Sequence, residues 1–293
     1  MNSERIALTC APGGENHVGN QFIGKLPIKG SGFTASDVEN MGVYFKSKYT
    51  NNQVQILNLN TLSTIEAISN LDEMNQGRLL LIKNYIPFSI TEMIYNECTM
   101  NEWDSKYLDP KKYRTEIIDG KETRIRGKIL NKHARTNICY VDGLSQEPNY
   151  IEGKGTIIDL KTKTTLHNTI DKLYKDILDS LKTFSNKIHF EINVVEGNRY
   201  YNLKKTGIGF HGDTERTIVI CLSIGGGGNY PMRFQWFKNG KPIGKSIDIQ
   251  LNDGDLYIMS EKTVGCDWKL RSKFTIRHAA GADKYISLNR WNK

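Results

Sequence analysis

The run Gly209-Phe210-His211-Gly212-Asp213-Thr214-Glu215 decides how this chain is read. Asn198-Arg199-Tyr200 stands just before it, and the β-prone stretch from Thr217 to Ile224 follows. Side chains of an extended strand repeat every second residue, so His211 and Asp213 can point to the same side. One imidazole, one carboxylate and a second, distant His make a facial triad. Such a triad holds Fe(II) and leaves further coordination positions open. Taken alone, His-x-Asp is also what a surface His beside a turn Asp looks like, so the surroundings have to decide.

Downstream of Phe190 the pattern is almost wholly β. Candidate strands fall at 190–195, 217–224, 232–237, 246–251, 255–259, 273–278 and 284–288. Lys238-Asn239-Gly240-Lys241 carries the Asn-Gly signature of a tight hairpin. Gly225 to Gly228 lacks the strand–turn–helix setting of a phosphate loop and reads as a flexible connection. Many short strands with frequent turns indicate a sandwich or jelly roll. Upstream, Ile170, Leu173, Tyr174, Ile177, Leu178, Leu181 and Phe184 recur at three- and four-residue steps. They predict one amphipathic helix over 168–184.

Farther upstream, Leu79 to Ile82 reads as a buried strand. Ser89-Ile90-Thr91-Glu92 has the spacing of a capping box and predicts a helix through Glu97. Residues 104–128 are polar, with Asp109-Pro110 and Asp119-Gly120 as turn signals, and read as exposed hairpins or loops. Ile138 to Val141 is a further strand. Residues 1–75 carry no recognisable chemistry and are expected to be an N-terminal extension or small accessory domain, leaving 76–293 as the main domain. The expected class is α+β, mainly β: a jelly roll flanked by helices.

Lys and Arg outnumber Asp and Glu by 40 to 32, a formal charge of +8, which favours acidic partners such as nucleic acid. The five cysteines are scattered, with no CxxC spacing, so neither a disulfide framework nor a structural zinc site is expected. No apolar run is long enough to span a bilayer, and no signal-peptide pattern opens the chain. A soluble intracellular protein is the expectation.

Several motifs in order carry a family resemblance over roughly residues 79–293. Asn198-x-Tyr200, Ile208 to Glu215, Leu222-Ser223-Ile224-Gly225 and Gly254 to Met259 together resemble the Fe(II)/2-oxoglutarate-dependent dioxygenases, and among them the AlkB-like enzymes. The resemblance implies a double-stranded β-helix, with 2-oxoglutarate and O2 as cosubstrates and Asn198 and Tyr200 contacting 2-oxoglutarate. It implies hydroxylation or oxidative demethylation of a nucleic-acid base, taken from a single strand or flipped from the duplex. His211 and Asp213 would be metal ligands. The third ligand falls by elimination to His278, the one His downstream of His211.

The far carboxylate of 2-oxoglutarate needs a cation. Arg290 and Lys284, in the expected last strand, are candidates, and Lys284-Tyr285-Ile286-Ser287 is similar to the Lys-aromatic stretch that serves this role in prolyl hydroxylases. A rival alignment likens Arg271 to Arg277 to the paired-Arg strand of AlkB-like enzymes. It makes Arg277 the cation and leaves Asp267 or Cys266 as an odd ligand, or an inactive site. Lys132, Arg135 and Asn137 stand where the family often builds a substrate lid. A protein (prolyl-type) hydroxylase and a degenerate nucleic-acid-binding module remain the alternatives.

Overall fold

The computed structural model describes residues 4–19, 21–184, 190–226 and 230–291. His189, which immediately precedes the candidate strand 190–195, and the last two glycines of the Gly225–Gly228 run lie outside them. Eight strands form one sheet, in the order β4 (Val54–Asn58), β5 (Arg78–Ile82), β15 (Leu256–Met259), β12 (Val219–Ile224), β1 (Arg5–Ala11), β10 (Val194–Tyr200), β8 (Thr136–Val141) and β9 (Ile157–Asp159). Four form a smaller sheet, in the order β11 (Gly207–His211), β16 (Thr275–Gly281), β13 (Tyr230–Lys238) and β14 (Lys241–Leu251). Two further ribbons pair β2 (Gly13–Glu15) with β3 (Phe22–Gly24) and β6 (Lys106–Ile118) with β7 (Lys121–Asn131). The chain is therefore mixed α and β, mainly β.

Alternation along the strands sets the layers. On one face of the large sheet, Ile6, Leu8, Ile220, Leu222, Leu256 and Ile258 pack in one apolar cluster with Val38, Met41 and Phe45 of the helix Ala35–Lys48 and with Leu173 and Ile177 of the helix Thr164–Phe184. On the other face, Leu79, Leu81, Tyr200, Val219 and Cys221 meet Tyr230, Met232, Phe234, Trp236 and Ile276 of the small sheet. Helices, large sheet and small sheet thus form three layers, with one core on each side of the large sheet.

The expectation of a separate N-terminal region over 1–75 is corrected by β1. It pairs antiparallel with both β10 and β12, in the middle of the large sheet. The helix Ala35–Lys48 and strands β4 and β5 also belong to the common core. Arg5, Ala7 and Thr9 alternate with Ile6, Leu8 and Cys10 as a central strand requires.

Two local expectations are corrected, and that of an exposed hairpin over 104–128 is met. The helix Phe88–Thr99 starts at Pro87 with no side-chain cap, so Ser89 and Glu92 make no capping box. Residues 104–128 contribute to one long ribbon that turns at Asp119-Gly120, where both residues adopt positive φ. The expected strand 284–288 is a helical turn, Asp283–Ile286, since β16 ends at Gly281, itself at φ 102°.

Candidate functional site

A cavity opens between the two sheets. Arg5, Thr9, Glu196, Asn198, Tyr200, Cys221 and Tyr257 line it from the large sheet, and Ile208, His211, Met232 and His278 from the small one. His211 ends β11 and stands directly across from His278 on β16. The ring centroids are 4.4 Å apart. Asp213 follows in the loop, its amide donating to the Val264 carbonyl at 3.0 Å. Gly212 lets the loop pass: a Cβ there would collide with the Gly265 carbonyl oxygen.

His211, Asp213 and His278 each offer one ligand atom, and these atoms all lie within 4.8 Å of one another. Asp213 Oδ1 is 3.3 Å from His211 Nε2 and 3.7 Å from His278 Nε2. Atoms each about 2.1 Å from one ion and set at right angles stand about 3 Å apart, so a modest inward movement suffices for a shared metal. His211 Nδ1 lies 2.8 Å from the Gly209 carbonyl oxygen. A proton held there leaves the Nε2 lone pair facing the cluster.

The protonation states agree with a ligand set. Burial, helped by His211 and opposed by Asp213, brings His278 down to about 4. Burial alone would raise the Asp213 carboxyl. The hydrogen bond to His211 and the charges of His278 and Arg216 overcome it and hold Asp213 well below the usual carboxylate range. A neutral imidazole and an ionised carboxylate are the forms that bind metal.

Behind the cluster runs a buried polar network that sequence reasoning missed. Arg216, 3% exposed at its side chain, is ion-paired with Glu196 and with Glu215 at 3.2 Å, and its Nε lies 3.9 Å from Asp213 Oδ2. Burial would lower Arg216 and raise Glu196. Their mutual attraction overcomes both, holding the guanidinium above and the carboxyl well below the ordinary values. His17 Nε2 meets Glu196 Oε1 at 2.9 Å. His17, Glu196 and Glu215 form a second cluster of possible metal-ligand groups. Arg216 already supplies that cluster's positive charge, so it fits a second cation poorly.

The remaining expected site residues divide. Asn198 and Tyr200 line the cavity. The Asn198 amide donates to Glu196 at 2.8 Å, and its oxygen accepts from Arg135 at 2.5 Å and Asn137 at 2.7 Å. Lys132 donates to Asn137 at 2.8 Å. Of that trio only Arg135 reaches the cavity wall, while Lys132 and Asn137 act through Asn198. Burial, with Asp104 opposing and Arg135 adding, draws Lys132 down to about 8.

The expected cations lie elsewhere. Arg277 alternates away from His278 and stacks on Phe237 and Trp268, Lys284 lies over Tyr285, and Arg290 over Trp291. None of the three lines the cavity, and Arg5 does. Arg5 is 1% exposed, and its guanidinium donates to Ser223 Oγ at 3.2 Å. The sequence signal was available: Arg5 is a charge at an inward position of an alternating strand, as is Glu196 in Val194-Val195-Glu196-Gly197-Asn198.

No protein-family model matches the chain. Over 286 residues it is 32% identical to an uncharacterized protein of Acanthamoeba polyphaga mimivirus, an alignment covering 97% of this chain and 98% of that protein. The chain belongs to the same family as that mimivirus protein.

Proposed function

We propose that the chain is an Fe(II)- and 2-oxoglutarate-dependent dioxygenase that hydroxylates or oxidatively demethylates a nucleic-acid base. The observation that carries this reading is the convergence of His211, Asp213 and His278 at one end of a cavity walled by two sheets. Two imidazoles and one carboxylate on one side of an ion leave the opposite side open, as non-haem Fe(II) oxygenation requires. The strand order supports a double-stranded β-helix. From β10 to β13 the chain alternates between large and small sheet, β14 stays beside β13, and β15 and β16 alternate again. The slot between β10 and β12 is then filled by β1, from the other end of the chain.

In this reading His211, Asp213 and His278 hold the metal. Arg5 supplies the cation for the far carboxylate of 2-oxoglutarate, in the place first given to Arg277, Lys284 or Arg290. Its planar fork suits a carboxylate, and its burial strengthens the pairing. Asn198 and Tyr200 form the adjoining wall. His211, His278 and Arg216 together keep Asp213 ionised, and Glu196 holds Arg216 and, through Asn198, Arg135. When bound, Fe(II), 2-oxoglutarate and O2 supply the oxidising power to hydroxylate a C–H bond. The chain's own contribution is to orient the cosubstrate and keep one coordination face open. The formal charge of +8 supports an anionic partner such as nucleic acid.

The test is aerobic turnover: purified protein with Fe(II), 2-oxoglutarate and N-methylated single-stranded oligonucleotides, reading succinate and formaldehyde together. Stoichiometric release of both is expected. Absence of succinate from wild type at saturating Fe(II) and 2-oxoglutarate would overturn the reading.

A further inference from the structure

The loop that carries Asp213 separates two cavities. Asp213, Glu215 and Arg216 face the space between the sheets, whereas Thr214 and Thr217 face a second pocket on the outer side. That pocket has a volume of about 630 Å³, within the range of small-molecule sites. Its walls carry four lysines, Lys29, Lys262, Lys269 and Lys273, against two carboxylates, Glu261 and Asp267.

Both carboxylates are already engaged inside the fold. Glu261 accepts from the Gly30 amide at 2.9 Å and the Gly32 amide at 2.8 Å. Asp267 pairs with Lys262 at 2.7 Å, and Lys262 also donates to the Phe274 carbonyl at 2.6 Å. Lys29, Lys269 and Lys273 remain exposed and come from two separate segments of the chain that line the pocket. Two side chains of the lining, Met74 and Leu270, are apolar and 41% and 47% exposed. Cationic groups beside apolar surface suit a ligand with a phosphate at one end and a flat apolar body at the other.

We propose that this outer pocket takes a nucleotide unit, its phosphate on Lys29, Lys269 and Lys273 and its base against Met74 and Leu270. Ammonium groups bind phosphate as point charges, and the apolar wall covers the base face. The inference goes beyond the iron reading and does not depend on it. The same chemistry comes from a free mononucleotide or from one nucleotide of a single strand.

The test uses metal-free, full-length protein. Fluorescence anisotropy reads the binding of a labelled hexathymidylate, and unlabelled thymidine 5′-monophosphate serves as competitor. Lys269→Glu with Lys273→Glu is expected to weaken strand binding about tenfold or more and to flatten the log–log salt slope by about 0.7, the share of the one phosphate that the pocket holds. Leu270→Ser is expected to weaken binding with no change of slope. Lys29→Glu, in a different segment of the lining, repeats the charge test should the double variant fail to fold by circular dichroism.

Competition by the mononucleotide assigns the pocket to a free nucleotide unit. Strand binding lost without such competition assigns it to a strand. Unchanged binding in both the Lys269/Lys273 and Lys29 variants overturns the proposal, as does wild type that binds neither probe. The metal site is read separately, by succinate release, so either failure leaves the assignment of His211, Asp213 and His278 as metal ligands untouched.

Discussion

On the helix side of the large sheet, β1 presents Ile6, Leu8 and Cys10, and β12 presents Ile220, Leu222 and Ile224, all fully buried. On the cavity side the same strands present Arg5, Ala7 and Thr9, then Val219, Cys221 and Ser223. The first face is held by apolar area at about 25 cal/mol per Å² removed from water. The second takes charges out of water and needs partners for them, which adds little net stability. A strand that buries Ile on one side and Arg on the other is held by the first face and keeps the second for chemistry. The face-to-face contrast makes separable predictions.

The largest expected effect is on the cavity side. Arg216→Met leaves Glu196 buried without its cation and should destabilise the fold by about 4 kcal/mol in urea unfolding. Adding Glu196→Gln should recover part of that loss. An additive double variant would show that the pair is not coupled. Next comes the helix side: Leu222→Ala should cost about 3 kcal/mol while leaving Fe(II) affinity of the folded protein unchanged. Loss of metal binding there would break the separation of the two faces.

Arg5→Gln should do the reverse. The expectation is little change in thermal midpoint and a 2-oxoglutarate Kd raised by roughly tenfold or more, measured by calorimetry with Fe(II) under nitrogen. A drop in stability with unchanged Kd would move Arg5 to a structural role.

A pH series sharpens the contrast further. The folded pKa of His278 lies near 4, below the ordinary 6.5. Above 6.5 both states are neutral and the group contributes nothing to the slope. Between 6.5 and 4 the unfolded chain binds the proton and the folded chain does not, so stability falls as pH falls, by up to about 1.4 kcal/mol per pH unit. Glu196 is held below its ordinary 4.5, so its contribution is present above that pH and is lost below it. Metal-free wild type should therefore lose stability from pH 6.5 downward, and His278→Asn should remove the upper part of that slope. The smallest effect belongs to Lys284→Gln, expected within about 0.5 kcal/mol of wild type and with unaltered 2-oxoglutarate affinity.

Much of this arrangement was legible in local sequence. The amphipathic run after Thr164, the Asn239-Gly240 turn and the alternation of β12 and β13 each follow from periodicity and turn chemistry, and the His-x-Asp spacing puts two of the three clustered side chains on the chain. His278 could be reached only by elimination, because partners across antiparallel strands leave no mark of their register in either strand. The role of β1 was hidden for a related reason. Its alternation is plain in Arg5 to Ala11, but its neighbours β10 and β12 pair with it across gaps such as Arg5 to Tyr200 and Ile6 to Ile224, and no local signal names them. The same holds for Arg5, Glu196 and Arg216, whose meaning comes from a shared cavity. The helical turn at Asp283–Ile286 shows the opposite case, where strand-prone residues follow a glycine that has already ended the sheet.

The most direct measurement is an anaerobic titration of wild type and His278→Ala with Fe(II) and then 2-oxoglutarate, following the visible charge-transfer band of the chelate. A band that saturates at one Fe(II) per chain in wild type and is lost in the variant is the expected result. A wild type that binds no Fe(II), or a variant that keeps the full band, would contradict a metal centre built from His211, Asp213 and His278.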